Sequence, residues 1–325
     1  MKYLLLAPLL LLSMAFVPEQ KDQEKSPNPC SVSFCKPDNT LAKGQARIEF
    51  TCSDANGISA NTSILMSYNG IQDTIVTDKN GKASMTVKAG RYMFQFYLNS
   101  EHYEIYSDSI LIKAAHQTGI GLAFQSSYEP AVAEKPVIYV YPDKTKQINI
   151  QLGLNGNLGF TYPQYKEGTG WNFTADPNGT IHMNGKEFDY LFWDGETVIN
   201  MNLVEEQKGF IVEKDSLSDF FEAKLTAMGL TPRERQDFIT YWCPRMQENE
   251  KSYVHFMFND EYAEVAALNV TPAPDHVFRI FMLWSDAAEI DATAVSDQEI
   301  QSFTREGFSV VEWGGAKMPQ LADQL

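Results

Sequence analysis

Lys135-Pro136-Val137-Ile138-Tyr139-Val140-Tyr141-Pro142 is the stretch on which the fold turns. Its interior is β-branched and aromatic, the residue types that suit a pleated, packed surface, and prolines bound it at both ends, so it reads as a strand. Shortly after it, Ile148-Asn149-Ile150-Gln151-Leu152-Gly153-Leu154 alternates apolar with polar or small residues, which predicts a strand with one buried face and one wet face. Asn155-Gly156, Asn178-Gly179 and Asn184-Gly185 then mark tight turns, with strands expected over 171–175 and 180–183. The local pattern is that of a meander.

Helical periodicity enters only in the middle of this region. Leu217, Phe220, Phe221, Leu225 and Met228 fall on one face at a 3.6 period, and Gly229 is placed to end the helix. Thr231-Pro232-Arg233-Glu234 reads as a capping box with proline at the first helical position, opening a second helix that turns Phe238, Ile239 and Trp242 inward and stops before Pro244. Strand signals resume over 253–258, 266–270, 277–284 and 308–313. A helical hairpin laid over a sheet is therefore expected within a unit spanning 137–325, which holds all five tryptophans.

Upstream, residues 126–136 lack any period and read as a linker. Before them, 41–125 alternates in short runs divided by Asn-Gly and Lys-Ala-Gly turns, which predicts a small antiparallel sandwich. Thr77-Asp78-Lys79-Asn80-Gly81-Lys82, followed by Val87-Lys88-Ala89-Gly90-Arg91-Tyr92, resembles the carboxypeptidase regulatory-like, transthyretin-like domains of exported bacterial proteins. That resemblance implies a non-catalytic accessory sandwich; in the second turn Gly90 would bend the chain so that Tyr92 enters the core. Asp78 and Asn80 read as turn residues, since their spacing departs from a calcium-binding loop.

The first 20 residues combine Lys2 with an apolar run too short to span a bilayer and with Ser13 and Ala15 as small residues at a cleavage site, the pattern of an export signal. Residues 21–40 are rich in Lys, Glu, Pro, Ser and Asn and read as a flexible leader. In an oxidising compartment Cys30, Cys35 and Cys52 are candidates for one disulfide, whose pairing the spacing leaves open. Periplasmic, cell-surface or extracellular placement is expected, with no transmembrane segment after cleavage. With 42 acidic against 26 basic residues the formal charge is −16, so the cation excess needed to neutralise phosphates is missing and nucleic acid is excluded as a partner.

A search for chemistry returns mostly absences: no phosphate-cradling loop, no nucleophile elbow, no paired-histidine zinc motif, and hence no metal or cofactor. Cys243 and His255 could be drawn as nucleophile and base, but Cys243 between Trp242 and Pro244 reads as a packed thiol. The densest constellation is Glu187-Phe188-Asp189-Tyr190-Leu191-Phe192-Trp193-Asp194-Gly195-Glu196. Paired carboxylates beside aromatic rings are what glycoside hydrolysis uses, so Asp189, Asp194, Glu196 and, further on, Glu312 are the candidate acids. The bland reading is an aromatic strand ending in an acidic turn. Tyr162, Tyr165 and Trp171 lie in a stretch that reads as loop, and such rings would stack on sugar faces.

The large unit resembles a group of uncharacterised exported bacterial proteins through Lys135 to Pro142, Tyr190 to Trp193, Phe238 to Trp242 with Pro244, and Gly307-Phe308 with Glu312 to Gly315. The resemblance implies a single domain and donates no mechanism. The expectation is a mostly β protein with minor α: a small transthyretin-like β-sandwich followed by a larger β-rich α+β domain. Its expected role is binding or envelope structure with a glycan or protein ligand; a secreted hydrolase of glycans or peptides is the alternative.

Overall fold

The computed structural model describes residues 29–54, 57–58, 61–205 and 207–318; the expected export signal lies outside the described residues. The opening motif belongs to a strand, Tyr128–Tyr141, longer than its sequence suggested. Val137 and Tyr139 pack toward one core, while Ile138 and Val140 pack toward a second core on the opposite face. A strand buried on both faces needs apolar side chains at every position, which is why the motif does not alternate.

Residues 126–136, expected as a linker, are mostly strand. Pro130, Ala131, Val132 and Ala133 pair with Val198, Thr197, Glu196 and Gly195 of the strand Leu191–Asn200. Ala131 and Ala133 are buried while Val132 faces out. The period is present but written in alanine and proline, residues that carry little strand signal of their own.

Eight strands form the large sheet, in the order Gly156–Tyr162, Leu191–Asn200, Tyr128–Tyr141, Ser309–Lys317, His276–Asp286, Lys251–Phe258, Lys208–Glu213 and Ser296–Asp297. His276–Asp286 and Ser309–Lys317 run parallel, so the sheet is mixed, not the meander expected from the turns. On one face lies a five-stranded sheet that includes Lys146–Leu154 and Trp171–Ala175, and the two sheets enclose Ile148, Ile150, Trp171, Phe173 and Trp193. On the other face lies the helical hairpin of α1, Leu217–Ala227, and α2, Pro232–Met246, burying Phe221, Phe238 and Trp242 against Phe256 and Trp313. The expected mostly β class with minor α stands.

The hairpin closes as its sequence implies. Gly229 sits at φ +90°, and the Leu230 and Gly229 amides donate to the Leu225 and Thr226 carbonyls at 3.0 Å each. The Thr231 amide donates to Glu234 Oε2 at 2.8 Å, and the Glu234 amide donates to Thr231 Oγ1 at 3.3 Å, completing the capping box. α2 does not stop before Pro244 but continues to Met246. Proline in the last turn deprives only the Thr240 carbonyl of a donor, and the following turn still closes through the Gln247 amide on Cys243 O at 2.9 Å.

The small unit packs two four-stranded sheets over Ile48, Phe50, Ile64, Met66, Phe94 and Phe96. It is not wholly antiparallel: His116–Ala123 pairs in parallel with Gln45–Ser53 and antiparallel with Cys30–Pro37. The second half of the expected leader is thus an edge strand. Asp78 Oδ1 accepts from the amides of Asn80 at 2.8 Å and Lys82 at 2.9 Å, so this carboxylate is spent on its own turn.

The cysteine expectation is corrected by register. Cys30 and Cys52 both align with Leu122, on opposite sides of its strand, which places their Cα atoms about 9.5 Å apart. Disulfides need about 4.4 to 6.8 Å. Cys35 lies five residues along the strand from Cys30 and is exposed, whereas Cys52 is buried. Strand geometry holds all three beyond bridging distance.

Four residues separate His116–Ala123 of the small unit from Tyr128–Tyr141 of the large one. The join is pinned by side chains: Ser127 Oγ donates to Asn200 Oδ1 at 2.9 Å, and Asn202 Nδ2 donates to the carbonyls of Ser100 at 3.0 Å and His102 at 3.1 Å.

Candidate functional site

The four candidate acids do not converge. Glu312 is fully buried, accepting from Trp193 Nε1 at 2.9 Å, Tyr262 Oη at 3.3 Å and Arg279 Nε at 2.6 Å. Burial and the adjoining carboxylate drive the Tyr262 phenol far above its ordinary range. This is a sealed ion pair between the two sheets, with no access for substrate. Asp189 is exposed and pairs with Arg233 at 2.6 Å, tying the turn to the start of α2.

Asp194 and Glu196 share one face of their strand, as the sequence implied, but serve different surroundings. Asp194 Oδ1 accepts the Phe160 amide at 2.6 Å, stabilising the irregularity between Leu158 and Thr161 in the neighbouring edge strand. Glu196 is exposed beside a shallow depression of about 540 Å³ that also touches Val132, Glu134 and Lys317. Cys243 and His255 are also apart. Cys243 faces the helical core, while the buried His255 donates through Nδ1 to the Lys208 carbonyl at 3.0 Å.

Of the three rings read as exposed, Trp171 is not: it is 1% exposed and donates through Nε1 to the Pro163 carbonyl at 2.8 Å. It opens a strand and closes the sandwich core, with Tyr165 edge-on to it at 4.8 Å. Tyr165 Oη in turn accepts the Leu152 amide at 3.0 Å. Both rings are structural. Tyr162 is different. It ends the edge strand Gly156–Tyr162, is 54% exposed, and meets Phe188 edge-on at 5.4 Å.

Phe160, which the sequence reading passed over, is 58% exposed on the same strand and packs against Phe192 at 6.0 Å. Phe160 and Tyr162 line a depression of about 560 Å³ together with Gln164, Asn184 and Lys186. Phe-Thr-Tyr at 160–162 alternates aromatic with polar, a signal masked by the two nearby glycines and by Pro163.

Beside these rings lies a second feature that the sequence did not disclose. Lys135 adopts φ +53° at the point where the pairing of its strand slips between Ala133 and Val137. A side chain in that conformation is costly, on the order of 1 kcal/mol, and persists only where its surroundings fix it. Its ammonium lies 5.3, 5.4 and 5.7 Å from the ring centres of Tyr190, Phe192 and Tyr241, and donates to Tyr190 Oη at 3.4 Å. Three ring faces or edges thus lie within 6 Å of the ammonium, a distance at which the ring quadrupole attracts a cation. Tyr241 donates to Glu134 Oε2 at 3.2 Å and carries Arg245 over its face at 3.6 Å. Burial, then Glu134, pushes the Tyr241 phenol up to about 12, which keeps it a hydrogen-bond donor at neutral pH.

Residues that carry the large unit's resemblance therefore meet in space: Tyr190, Phe192 and Tyr241, half-buried against the helical core, surround the Lys135 ammonium. From there Phe192 continues the aromatic surface to Phe160. Rings, an ammonium and amide side chains on an open margin can stack on and hydrogen-bond a flat, hydroxylated ligand. Among the described residues no group of His, Cys, Asp and Glu is arranged to hold a metal ion.

No family model matches the chain. Among solved structures it is similar to the Bacillus anthracis TIE protein, at 12% identity and TM-score 0.23, covering 47% of this chain and 32% of that one. It is also similar to a streptococcal ancillary pilin, at 13% identity and TM-score 0.22, covering 47% and 54%. A DUF3823 family protein from Parabacteroides merdae gives 10% identity and TM-score 0.22, covering 48% and 99%. Scores this low carry no argument about role. In sequence, 78 residues, 24% of this chain and 81% of the relative, are 38% identical to the uncharacterized protein in the bglA 3' region of Butyrivibrio fibrisolvens, and the chain belongs to that protein's family.

Proposed function

We propose that the chain is an exported, non-catalytic binding protein whose large unit holds a glycan against the edge strand Gly156–Tyr162. The observation that supports this most is the pair Phe160 and Tyr162, more than half exposed on a sheet edge beside a depression lined by amides and Lys186. Large rings left open on a rigid strand lose contact with water only when something covers them. Pyranose rings present apolar C–H faces to such rings and hydroxyls to the flanking amides and ammonium groups. In the same reading the small unit is a carboxypeptidase regulatory-like sandwich. Its Tyr92 is buried, with Oη donating to the Lys88 carbonyl at 2.7 Å, which is compatible with that reading.

The hydrolase alternative has less support. It needs two carboxyl groups facing one bond, whereas Asp189 is held by Arg233, Asp194 by the Phe160 amide and Glu312 by Arg279.

Affinity electrophoresis through gels containing xylan, mannan or mixed-linkage glucan tests the proposal. Retardation in at least one gel, reduced about tenfold or more in Phe160→Ala/Tyr162→Ala, is expected, with no release of reducing ends. Unchanged retardation in that variant overturns the site. Reducing-end release that stops in Asp194→Asn overturns the non-catalytic reading.

A further inference from the structure

The second sheet of the small unit turns a polar and aromatic face outward. Its strands run Ile71–Val76, Ser63–Tyr68, Phe94–Tyr97 and Ile105–Tyr106. Leu65 pairs across the ladder with Tyr97, Ser67 with Gln95, and Gln95 with Tyr106, so all five share the outer face. Leu65 is 55% and Tyr106 63% exposed. Around them the polar groups are already oriented. Ser67 Oγ donates to Gln95 Oε1 at 3.2 Å, and Gln95 Nε2 donates to Glu104 Oε2 at 2.7 Å and to Tyr106 Oη at 3.1 Å. Tyr106 Oη in turn donates to Glu104 Oε2 at 2.6 Å.

This face is also a channel. A depression of about 370 Å³ lies on the Leu65 side of Tyr97. Another of about 480 Å³ lies on its far side, bounded by Tyr97, Glu104 and Tyr106 and, from the large unit, by Asn202 and Val204. Together they run across four strands, about 14 Å at the usual strand spacing, and end at the pinned join between the units.

We propose that this channel binds a neutral oligosaccharide chain lying across the strands, as a second contact separate from the Phe160 and Tyr162 edge. Two tyrosines offer ring faces along the path. Gln95, Ser67 and Glu104, fixed by one another, have spent their own donor hydrogens within the network and present lone pairs that accept from ligand hydroxyls without having to be ordered on binding. Apart from tyrosines, the ionisable side chains lining it are Asp73, Glu104 and His102, with no lysine or arginine, so two carboxylates would repel an anionic chain and a neutral one is favoured. The class of ligand rests on the glycan reading of the large unit; the site does not.

Affinity electrophoresis and titration calorimetry with soluble xylan, mannan and mixed-linkage glucan, and with polygalacturonate as the anionic comparison, separate the two sites. Tyr97→Ala/Tyr106→Ala alters exposed rings, and Gln95→Ala removes the central amide while leaving the rings. Each variant is expected to weaken binding of a neutral polysaccharide about tenfold, and the loss should add to that of Phe160→Ala/Tyr162→Ala. Full-strength binding in both small-unit variants overturns this inference and leaves the large-unit proposal standing. Loss in them with none in Phe160→Ala/Tyr162→Ala upholds this inference and overturns the large-unit site. Binding of polygalacturonate in preference to all neutral chains overturns the choice of ligand.

Discussion

Gly314 lies directly against Pro136: a Cβ at position 314 would stand 2.9 Å from the proline Cγ and 3.0 Å from its Cα. Two of the motifs that carry the large unit's resemblance, far apart in sequence, are thus in steric register, and the smallest side chain is what lets the strand Ser309–Lys317 approach the slipped pairing at Lys135. Gly314→Ala should lower stability by about 1 to 3 kcal/mol through this overpacking, seen as a reduced Tm. An unchanged Tm would show that the backbone near Pro136 yields freely.

The buried pair Arg279 and Glu312 should be asymmetric to mutation. Glu312→Ala leaves a buried guanidinium without its partner and should cost about 3 to 5 kcal/mol. Replacing both members with apolar residues, as in Arg279→Met/Glu312→Leu, should recover much of that loss. Denaturant titration of the two variants decides the matter, and a double variant as unstable as Glu312→Ala would mean that the Trp193 and Tyr262 hydrogen bonds dominate.

Acid should weaken the fold through His255. Burial lowers its folded pKa below the ordinary value of 6.5, against smaller opposing effects from the Lys208 carbonyl, Glu261 and Glu205. The unfolded chain therefore binds a proton before the folded chain does. The stability conferred by the neutral ring is complete above about 6.5 and declines as pH falls toward the folded value, by at most about 1.4 kcal/mol per pH unit. His255→Gln should flatten the stability profile in that interval. The half-buried Asp38 and Asp176 and the exposed Asp78, Asp143 and Asp291, whose hydrogen bonds hold their carboxyls below 3.8, act only in stronger acid.

Thiol labelling should follow burial. Burial pushes the Cys52 thiol up to about 12 and that of Cys243 up to about 11, whereas Cys35 is exposed. Iodoacetamide at neutral pH should modify Cys35 in the native protein and reach Cys52 and Cys243 only after denaturation. Rapid native labelling of Cys52 would show that the small sandwich opens readily.

Much of the scaffold was legible because it is written in local chemistry. The capping box at Thr231, the helix stop at Gly229 and the unbroken apolar run of 137–141 each follow from a neighbour or two along the chain. The site was less legible. The strand over 171–175 is legible and begins at Trp171 as expected, but grouping its ring with the loop-borne Tyr162 and Tyr165 suggested exposure; burial is decided by the facing sheet, which no local pattern reveals. Phe160 was missed for the converse reason, its strand disguised by glycine and proline. The Lys135 cluster could be found only as shared motif letters, since three of its four members come from different strands and a helix. A carboxylate such as Glu312, by contrast, looks the same in sequence whether it faces a substrate or an arginine.

The short passage from Ala123 to Tyr128 has a mechanical consequence. With four intervening residues, a pull on the small unit is delivered lengthwise onto a strand paired on both sides within the large sheet. Load applied in that direction shears many ladder bonds at once instead of unzipping them singly. Tension passed between the two units would then be borne without their parting first, and single-molecule extension would register one high-force event for the large unit in place of a gradual opening at the join.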